Sequence, residues 1–475
     1  MRISNLYPNI LIKNNHFITK VTDNSKEVIS GAIFVAIKGS NFDGADYISE
    51  AITKGAQTII TSIDYQSNNN INIIKTKNPK KELASILKKM YYNRLKNFRI
   101  VGITGTNGKT SCCNILYKYL LSLNKKVICF SSNGIYVGKK YYETINTTPH
   151  ILTIYNTILN SSYKNGYIIL EISSQAISEM RVFGIPFDII AYTNITQDHL
   201  DYHSNQTDYF YTKMLLMFQV KKGGSVIVNN NIENFAKILN FCSVTTYEIG
   251  KNKSADFYYE IVDSSIEKTL FFINTKTNIN ALETPLIGEF NIQNITLVYA
   301  ILDVLNTSLD NFDSFIKNIQ RINGRMNIFN LRNRTFIIDY AHTEKAVEEV
   351  LKTIKSFTNS KIKLIIGCGG NRDRLKRPKI GQLACQYADY VYFTEDNSRT
   401  ESIEKIINEI ICDLTMSNYT IILSRFEAIR KALKDSKENE TIILMGMGID
   451  KTKVDNEQYS DLEMVLKFLK EENND

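Results

Sequence analysis

The sequence predicts an α/β protein built from three domains. Its 475 residues are more than one hydrophobic core supports, and the length alone suggests about three domains. Short, nearly continuous apolar runs alternate with helix-length segments, and this alternation indicates parallel sheets covered by helices on both faces. The alternation restarts near residue 320, so we expect domains at residues 1–90, 91–320 and 321–475.

The first domain is predicted to be a small α/β unit. The apolar run at residues 33–37 is typical of a buried strand, and a polar turn follows it. Residues 48–52 fit a helix and residues 58–61 fit a second strand. Residues 79–92 fit a longer helix that leads into the next domain.

A glycine-rich turn opens the central domain. Its residues, which lie between an apolar run and a helix-compatible segment, are Gly105, Thr106, Asn107, Gly108, Lys109, Thr110 and Ser111. Glycine backbone lets N–H groups surround phosphate oxygens at a helix N-terminus, while Lys109 can neutralise the terminal phosphates and the Thr110 hydroxyl can bind Mg²⁺. The strict P-loop has glycine where this chain has Ile103, so the pattern is the shorter G-x-x-G-K-T. The strand context before the turn and the helix context after it favour a nucleotide triphosphate site over a chance surface turn.

Polar residues follow further predicted strands of the central domain. These strands are expected at residues 127–130, 167–172 and 189–192. Glu171 lies at the end of an apolar run, where a carboxylate can face a phosphate-bound metal or can cap a helix. Residues 198–203 hold two histidines and two aspartates, in a chain with five histidines, and this clustering favours metal or phosphate chemistry. Lys213 precedes an apolar helical stripe and, taken alone, is typical of a solvated lysine.

The third domain repeats the alternation of strand and helix. Strands are predicted at residues 336–339, 363–366, 390–393 and 441–444. Ligands of such sheets bind beyond the carboxyl ends of the strands, and polar motifs follow the strands here. Arg372 and Arg399 lie in two of these motifs, and each offers a guanidinium that can bind a carboxylate through two hydrogen bonds.

Composition excludes several classes of protein. A net charge of +8, spread without a block of like charges, favours an enzyme of anionic substrates over a nucleic-acid-binding protein. No apolar run approaches the roughly 18 residues of a membrane span, and the first residues lack a signal-peptide core. The seven cysteines fit buried thiols in a reducing cytoplasm and not disulfides or zinc sites: Cys112, Cys113, Cys129, Cys242, Cys368, Cys385 and Cys412. We therefore expect a cytoplasmic protein without nucleic-acid or membrane partners.

Motifs along essentially the whole chain resemble one enzyme family. They are Gly-Thr-Asn-Gly-Lys-Thr at 105–110, Asn-Thr-Thr-Pro at 146–149, Glu-Ile-Ser-Ser at 171–174, Thr-Gln-Asp-His-Leu-Asp-Tyr-His at 196–203, Gly-Glu-Phe-Asn-Ile-Gln-Asn at 288–294, Gly-Arg at 324–325 and Asp-Tyr-Ala-His at 339–342. The chain resembles the ATP-dependent Mur ligases, and within them the MurE type that adds the third amino acid of the peptidoglycan stem. Folate polyglutamylating relatives would carry Gly-Lys-Gly-Ser where this chain has Gly-Lys-Thr-Ser at 108–111.

The resemblance implies a site for ATP and Mg²⁺ on the central domain. Implied metal ligands are Thr110, Glu171, His199 and Lys213, the last as a carbamylated lysine, and Lys109 joins Glu171, His199 and Lys213 as a catalytic group. Implied ATP contacts are residues 105–111, with Asn291 and Asn294 on the adenine side and Arg325, Asp339 and His342 brought by the last domain, which is expected to be Rossmann-like.

The resemblance also implies where the acceptor substrate binds. Residues expected to hold the muramoyl-peptide are Asn146, Thr147, Thr148, Ser173 and Arg181. In the first domain, Ser25 lies in an altered Asp-Ser-Arg element and, with Asp43 and Gly44, suggests the pocket for the uridine nucleotide.

The implied reaction forms an amide bond through an acyl phosphate. The substrate carboxylate attacks the γ-phosphorus of ATP, the amine of a diamino acid attacks the acyl phosphate, and phosphate leaves. Residues expected to bind the diamino acid are Arg372, Asp396, Asn397, Ser398, Arg399, Gly448 and Asp450. Residues 396–399 resemble the Asp-Asn-Pro-Arg motif of ligases that select meso-diaminopimelate, with Ser398 in place of proline.

Several alternatives stay open at this point. The added amino acid is meso-diaminopimelate, or L-lysine or another diamino acid. The enzyme acts as a monomer on UDP-N-acetylmuramoyl-L-alanyl-D-glutamate, or it is a sister ligase that adds another residue. A protein of a different class, a non-catalytic Mur-like nucleotide-binding protein, is disfavoured because Lys109, Thr110, Glu171, His199 and Lys213 are all present.

Overall fold

Three large sheets and one two-stranded hairpin follow one another along the described part of the chain. The structure is a computed structural model that describes residues 1–39, 42–67, 70–232, 244–321, 323–454 and 457–471. The three sheets draw their strands from residues 21–75, 98–284 and 327–445. Each sheet corresponds to one of the three predicted α/β units, and the α/β fold is thereby confirmed.

The first sheet is small and entirely parallel, with the strand order β1-β2-β3-β4. Its strands are β1 (Val21–Thr22), β2 (Ala32–Val35), β3 (Ala56–Thr61) and β4 (Asn72–Lys75). The accompanying helices are α1 (Ile3–Leu6), α2 (Ile48–Thr53) and α3 (Pro79–Leu95), with 3₁₀ turns at Ser25–Glu27 and Gly44–Tyr47. Helix α3 begins where the Asn78 side chain accepts a hydrogen bond from the backbone N–H of Lys81 and proline takes the first helical position.

The second sheet has eleven strands in the order β15-β14-β13-β12-β11-β10-β5-β9-β6-β7-β8. The strands are β5 (Phe98–Thr104), β6 (Val127–Ser131), β7 (Gly134–Val137), β8 (Lys140–Tyr142), β9 (Gly166–Ile172), β10 (Phe187–Tyr192), β11 (Val220–Asn229), β12 (Thr245–Gly250), β13 (Phe257–Ser264), β14 (Thr269–Asn274) and β15 (Ile279–Thr284). The helices are α4 (Lys109–Ser122), α5 (Ile151–Asn160), α6 (Ser174–Ser178), α7 (Gln206–Met214), α8 (Glu289–Val304) and α9 (Phe312–Lys317), with a 3₁₀ turn at Leu215–Gln219. Helix α3 packs against both β2 and α5, so it links the first two units.

The central sheet is parallel through its middle, as the sequence predicts, and it carries antiparallel strands at both edges. The strands from β13 to β6 are parallel, but β7 and β8 at one edge and β14 and β15 at the other are antiparallel. These edge strands are joined by short turns, which permit only antiparallel pairing. The burial of β13 and β14 alternates along the strand instead of being continuous, as expected for strands with one face in solvent.

The third sheet has six strands in the order β16-β17-β21-β18-β19-β20, and all except β16 run parallel. The strands are β16 (Asn327–Leu331), β17 (Arg334–Asp339), β18 (Ile362–Ile366), β19 (Tyr390–Phe393), β20 (Tyr419–Ile421) and β21 (Thr441–Met445), followed by the hairpin β22 (Lys451–Val454) and β23 (Glu457–Ser460). The helices are α10 (Glu344–Phe357), α11 (Lys376–Tyr387), α12 (Ile403–Ile411), α13 (Arg425–Asp435) and α14 (Asp461–Glu471). The carboxyl ends of β17, β18, β19 and β21 lead into the polar motifs of this unit, as the sequence predicted.

The cysteines lie mostly inside the protein. Among the described residues, Cys112, Cys113, Cys129, Cys368 and Cys385 are buried free thiols, and Cys412 is an exposed one. Cys242 lies outside the described residues. None of the helices in the described ranges has the combined length and apolar character that a membrane crossing requires.

Candidate active site

The glycine-rich turn joins β5 to α4 at the centre of the large sheet. Gly105 has φ 146° and Gly108 has φ 83°, values that favour glycine. A Cβ on Gly105 would lie 1.9 Å from the Thr193 hydroxyl, and one on Gly108 would lie 2.3 Å from the Asn294 side-chain oxygen. Neighbouring side chains therefore hold the turn so closely that only glycine fits at these two positions.

The loop after β10 fixes the shape of this turn. The backbone N–H of Thr106 donates to the Asn194 carbonyl at 2.8 Å, and that of Asn107 donates to the Asn194 side chain at 2.9 Å. The Thr193 hydroxyl donates to the Asn107 carbonyl at 2.6 Å. Lys109 bends back over the turn, and its Nζ donates to the carbonyls of Gly105 at 2.9 Å and Thr106 at 2.7 Å. An anion bound in the turn would replace these carbonyls as the acceptor of the hydrogen bonds from Lys109 Nζ.

Glu171 lies beside the turn and contacts its threonine. The Thr110 hydroxyl donates to Glu171 Oε1 at 2.8 Å, and the backbone N–H of Ser132 donates to Oε2 at 2.8 Å. Glu171 is 1% exposed. The alternative that Glu171 caps a helix is wrong, because the Ser173 side chain caps α6 by accepting from the Ala176 N–H.

His199 and Lys213 approach the same turn from the loop after β10 and from α7. His199 Nδ1 is buried and has no hydrogen-bond partner among the described residues, while Nε2 lies 3.4 Å from Asp198. Burial lowers the pKa of His199 to about 4, although Asp198 acts in the opposite direction. Lys213 Nζ donates to the Gly105 carbonyl at 2.9 Å and lies 4.7 Å from the centre of the Tyr209 ring.

The expectation of a solvated Lys213 is wrong. The side chain is 1% exposed, because it lies between the Tyr209 ring and the glycine-rich turn, where its Nζ contacts the Gly105 carbonyl. Burial and the nearby Lys109 lower the pKa of Lys213 well below its ordinary value. His203 is also internal, since its Nε2 pairs with the Ser174 hydroxyl at 2.9 Å, so it does not join His199 at the turn.

The donor set fits a magnesium ion that is bound together with nucleotide phosphates. In the described ranges no group of three or more His, Cys, Asp or Glu side chains could hold a metal by itself. Mg²⁺ is commonly held by one or two carboxylates plus substrate phosphates and water, which is a smaller set. Glu171 with the Thr110 hydroxyl supplies such a set, and His199 Nδ1, which has no partner among the described residues, is a further candidate ligand.

The third unit contacts this site directly. The Asn107 side chain donates to the Thr343 hydroxyl at 3.1 Å, and Gln197 donates to Asp373 at 3.2 Å. Lys376 Nζ lies 3.9 Å from Asp198, and Asp198 is buried. The carboxyl edge of the third sheet therefore faces the glycine-rich turn across a shared cleft.

Arg325, Asp339 and His342 lie on the side of this cleft that the third unit forms. The Arg325 guanidinium stacks 4.3 Å from the centre of the Tyr340 ring. Asp339 accepts from the backbone N–H groups of Met326 at 2.6 Å and Ala341 at 2.7 Å, so its carboxylate organises the loop. His342 Nδ1 donates to the Tyr340 carbonyl at 2.8 Å, and burial together with Lys376 lowers the pKa of His342 to about 4.

The residues expected near adenine lie at the start of α8. Asn291 donates from Nδ2 to the Ile287 carbonyl at 2.8 Å, within its own helix turn. The side-chain oxygen of Asn294 packs against Gly108 and accepts from the Cys112 thiol at 3.4 Å. Both asparagines are buried, and the Asn294 side chain supports the glycine-rich turn through its contact with Gly108.

The residues expected to hold the muramoyl-peptide cluster beside Glu171, but not all of them are accessible. Thr148 is 0% exposed, and its hydroxyl donates to the Glu171 carbonyl at 2.8 Å and accepts from the Ser173 N–H at 3.0 Å. Arg181 donates to the Thr148 carbonyl at 2.9 Å. The Thr147 and Ser132 hydroxyls pair at 3.1 Å, and Asn146 is exposed. Thr148 therefore positions its neighbours and does not reach the cleft.

The residues expected to hold uridine lie around the first sheet. The Ser25 hydroxyl donates to Glu50 at 2.7 Å, and Asp43 caps the following 3₁₀ turn by accepting from the Ala45 N–H at 3.0 Å. Gly44 packs against the backbone of Ile37. His150 Nε2 lies 3.3 Å from Asp23, so this region contacts the central unit.

The two arginines expected to bind the amino acid lie on neighbouring loops. Arg399 donates from Nη1 to the Gly370 carbonyl, and partial desolvation together with Arg372 lowers its pKa. Arg372 is paired with Asp201 of the central unit at 3.2 Å, a contact that the sequence did not indicate. Partial desolvation and the charge of Asp396 raise the pKa of Asp450. Of the remaining residues expected here, Asn397 is exposed, Ser398 lies beside Gly370 and Gly448 lies beside Tyr340.

Comparisons with known proteins agree with this geometry. The family description "Mur ligase family, catalytic domain" matches residues 17–98, "Mur ligase middle domain" matches 103–302, and "Mur ligase, glutamate ligase domain" matches 324–448. The UDP-N-acetylmuramoyl-L-alanyl-D-glutamate–2,6-diaminopimelate ligase of Oceanobacillus iheyensis is 31% identical over 445 residues, which cover 91% of this chain and 90% of that protein. The chain belongs to the Mur ligase family.

Solved Mur ligase structures share its fold. A UDP-N-acetylmuramoyl-L-alanyl-D-glutamate–2,6-diaminopimelate ligase superposes with a TM-score of 0.71 at 23% identity, covering 100% of this chain and 99% of that one. MurF ligase from Thermotoga maritima in complex with ADP superposes with a TM-score of 0.67 at 20% identity, covering 96% of this chain and 98% of that one. At these identities the likeness concerns the fold alone.

Several residues around the site of this Mur ligase were missed by sequence reasoning. Ser132 donates two hydrogen bonds to Glu171, and the two serines that end the predicted strand at 127–130 were the available signal. Lys376 and Asp198 face each other across the cleft. No local pattern connects these two residues, because they belong to different units.

Proposed function

We propose that this Mur ligase uses ATP to join meso-2,6-diaminopimelate to UDP-N-acetylmuramoyl-L-alanyl-D-glutamate, with ADP and phosphate as the other products. The relatives named for this reaction align with more than nine-tenths of the chain. The sites face each other across one cleft, with the nucleotide turn on the central unit and the paired-arginine loops on the third unit.

The balance of charge at the third unit carries the choice of diaminopimelate. The positive charges of Arg372 and Arg399 are close enough to repel each other. The negative charge of Asp396 attracts Arg399 and repels Asp450. Two guanidiniums and two carboxylates match a ligand that has two carboxylates and two ammonium groups. L-lysine, with one carboxylate, would leave one of these arginines without a ligand carboxylate, which favours diaminopimelate over lysine.

ATP is proposed to bind at the glycine-rich turn, with its phosphates on residues 105–111. Thr110, Glu171, His199 and Lys213 would hold Mg²⁺, which when bound supplies positive charge beside the phosphates. Asn291 and Asn294 are proposed for the adenine side, with Asn294 acting through its contact with Gly108. Arg325, Asp339 and His342 would border the nucleotide from the third unit.

The chain's own residues are proposed to act on charge and position. Lys109 would move from the carbonyls of its turn onto the phosphate oxygens and would neutralise charge on the transferring group as the substrate carboxylate attacks the γ-phosphorus. The interdomain contacts of Asn107 and Gln197 hold the two halves of the cleft together, so the amine meets the acyl phosphate with little loss of entropy.

Lys213 is proposed to carry a carbamate. Its amine is enclosed and contacts the Gly105 carbonyl and the Tyr209 ring, and none of the ion pairs between described residues includes it. A carbamate would supply an anion beside the metal ligands, whereas an ammonium at this place would repel both Mg²⁺ and Lys109.

The acceptor substrate is proposed to run from the first unit to the central cleft. Ser25, Asp43 and Gly44 would border the uridine nucleotide, and Asn146, Thr147, Ser173 and Arg181 would line the path of the muramoyl-peptide, with Thr148 in a positioning role. Domain boundaries near residues 90 and 320, a monomeric state and a cytoplasmic location are proposed with it.

A ligation assay tests the proposed function. Purified protein receives ATP, Mg²⁺ and the UDP-muramoyl-dipeptide, with meso-diaminopimelate, L-lysine or ornithine in parallel, and the tripeptide product is measured by mass spectrometry. Efficient product formation with meso-diaminopimelate is expected. Preference for lysine would overturn the assignment of the amino acid, and absence of ATP turnover with every amino acid would favour a non-catalytic binding protein.

A further inference from the structure

An enclosed arginine lies behind the two loops that carry Arg372 and Arg399. Arg377, in the first turn of α11, is 0% exposed. It binds Glu401 through two hydrogen bonds, from Nη1 to Oε2 at 2.9 Å and from Nη2 to Oε1 at 3.0 Å. Arg377 also donates to Glu409 at 2.7 Å and to the Gly369 carbonyl at 3.2 Å. One guanidinium therefore joins the loop after β18, the loop after β19 and helix α12.

The two loops are also connected to each other. The backbone N–H of Gly370 donates to the Asn397 carbonyl at 2.9 Å, and the Asn371 side chain exchanges hydrogen bonds with the Thr400 hydroxyl at 2.8 and 3.0 Å. Glu401 accepts from the backbone N–H of Asn371, the residue before Arg372. Glu401 thus contacts the arginine behind the loops and the backbone at the tip of the first loop.

The residue that supports the two loops is distinct from the residues that can contact a ligand. Because Arg377 has no exposed surface, it cannot touch an amino acid in the cleft, whereas Arg372 and Arg399 lie at the outer ends of the connected loops. Two guanidiniums that bind the two carboxylates of one ligand must keep a fixed spacing. An error of about 1 Å in that spacing weakens the binding of the ligand considerably. The fixed point for both loops is the pair formed by Arg377 and Glu401.

We propose that Arg377 and Glu401 are positioning residues that set the spacing of Arg372 and Arg399 and thereby the selection of a dicarboxylic diamino acid. This inference rests on the proposed function for the identity of the ligand. Arg377 acts through the loops, so its loss should affect the diamino acid far more than ATP or the muramoyl substrate.

The test compares Arg377→Lys and Glu401→Gln with a matched control. Lysine keeps the charge of Arg377 but cannot bind Glu401 through a planar fork, and glutamine keeps the shape of Glu401 but loses one acceptor. The control is Glu440→Gln, because Glu440 pairs with Lys363 at 3.0 Å in the same unit, at the opposite, amino-terminal end of the sheet. All three variants weaken or remove a largely enclosed charged pair, but only Arg377→Lys and Glu401→Gln do so behind the loops.

KM values for all three substrates are measured, together with exchange of labelled ADP into ATP in the absence of amino acid. In Arg377→Lys and Glu401→Gln, we expect the KM for meso-diaminopimelate to rise about tenfold or more, with the other two KM values changed less than about threefold. The exchange reaction, which needs no amino acid, should stay near the wild-type rate. Glu440→Gln should lower the melting temperature and leave every KM unchanged.

The proposal is overturned if the KM for meso-diaminopimelate is unchanged in a folded variant, or if all three KM values rise together. If Arg377→Lys does not fold, Glu401→Gln decides the question alone. The Glu401 side chain is 19% exposed, so its replacement should disturb the fold less than replacement of the enclosed Arg377. Equilibrium dialysis with labelled meso-diaminopimelate requires no turnover and gives the same comparison. Wild-type protein that binds the diamino acid but forms no product would count against the proposed function. The role of Arg377 and Glu401 would then be decided by comparing the binding of meso-diaminopimelate to the wild type and to the variants.

Discussion

Removal of the Arg399 guanidinium should change which amino acid the enzyme uses. The variant Arg399→Ala keeps the backbone as it is, because Arg399 has φ 50° and alanine meets the same steric cost there as any residue with a Cβ. The hydrogen bond from Arg399 to the Gly370 carbonyl is lost, which costs about 0.5–1.5 kcal/mol of stability. The protein should therefore fold, and the larger effect should fall on the substrate.

The magnitude follows from the carboxylate that loses its partner. If Arg399 binds the distal carboxylate of diaminopimelate, removal of the guanidinium costs about 2–5 kcal/mol of binding free energy. This corresponds to a factor of about 30 to several thousand in kcat/KM. L-lysine has no such carboxylate, so its kcat/KM should fall by less than about threefold or should rise. The ratio of the two efficiencies is the quantity to measure.

The assay measures kcat/KM for both amino acids in wild-type protein and Arg399→Ala at saturating ATP and muramoyl substrate. Arg430→Ala is the control, because its guanidinium is 59% exposed on α13 and its nearest carboxylate is 3.9 Å away. The ratio should collapse in Arg399→Ala and stay constant in Arg430→Ala. A ratio that is the same in all three proteins would mean that Arg399 only supports the loop through Gly370.

Three further predictions concern the nucleotide turn and the support behind the loops. Lys109→Ala should abolish turnover while circular dichroism and the melting temperature stay near wild type, since the hydrogen bonds of Nζ within the described residues go to carbonyls of its own turn. A folded variant with normal activity would remove the phosphate-binding role. Lys213→Ala should be nearly inactive and partly restored by short-chain carboxylates, and a well-resolved crystal structure of the wild-type protein should show carbamate density on Lys213 Nζ. Absence of that density together with full activity of the alanine variant would contradict this role. The Arg377 hydrogen bonds lower the pKa of Glu401 from 4.5 to about 2, so this pairing stabilises the fold above about pH 4.5 and is lost as the pH falls toward 2. The difference in the free energy of unfolding between wild type and Glu401→Gln, measured by urea denaturation, should accordingly shrink over that interval, and a difference that does not change with pH would refute the linkage.

The parts of the candidate site that could be predicted from the sequence are those encoded by contiguous residues. The turn at 105–111, Glu171 at the end of β9 and the loops that carry Arg372 and Arg399 all follow strands that short apolar runs predict. Such features are local, because phosphate binding at a strand–turn–helix junction requires particular residues at fixed spacing. The predicted strands and the helix after the turn are accordingly present at the expected places.

The antiparallel edges of the central sheet were not predicted. Strand β8 is short and exposed, and the apolar run at residues 270–273 of β14 does not by itself distinguish an antiparallel strand from a parallel one. Pairing of a strand with one neighbour or another depends on the whole sheet and not on the strand's own residues.

The roles of single charged side chains were decided only by tertiary structure. Lys213 has the sequence context of a solvated lysine, yet it is enclosed because it meets Gly105, which lies 108 residues earlier in the chain. Arg372 pairs with Asp201 from 171 residues away, and Arg377 is enclosed by two carboxylates that follow it. The sequence by itself determined the three α/β units and the chemistry available at their strand ends. Only the packing of these units decided which charges lose water and which partner each one finds, because desolvation depends on segments that are distant in sequence.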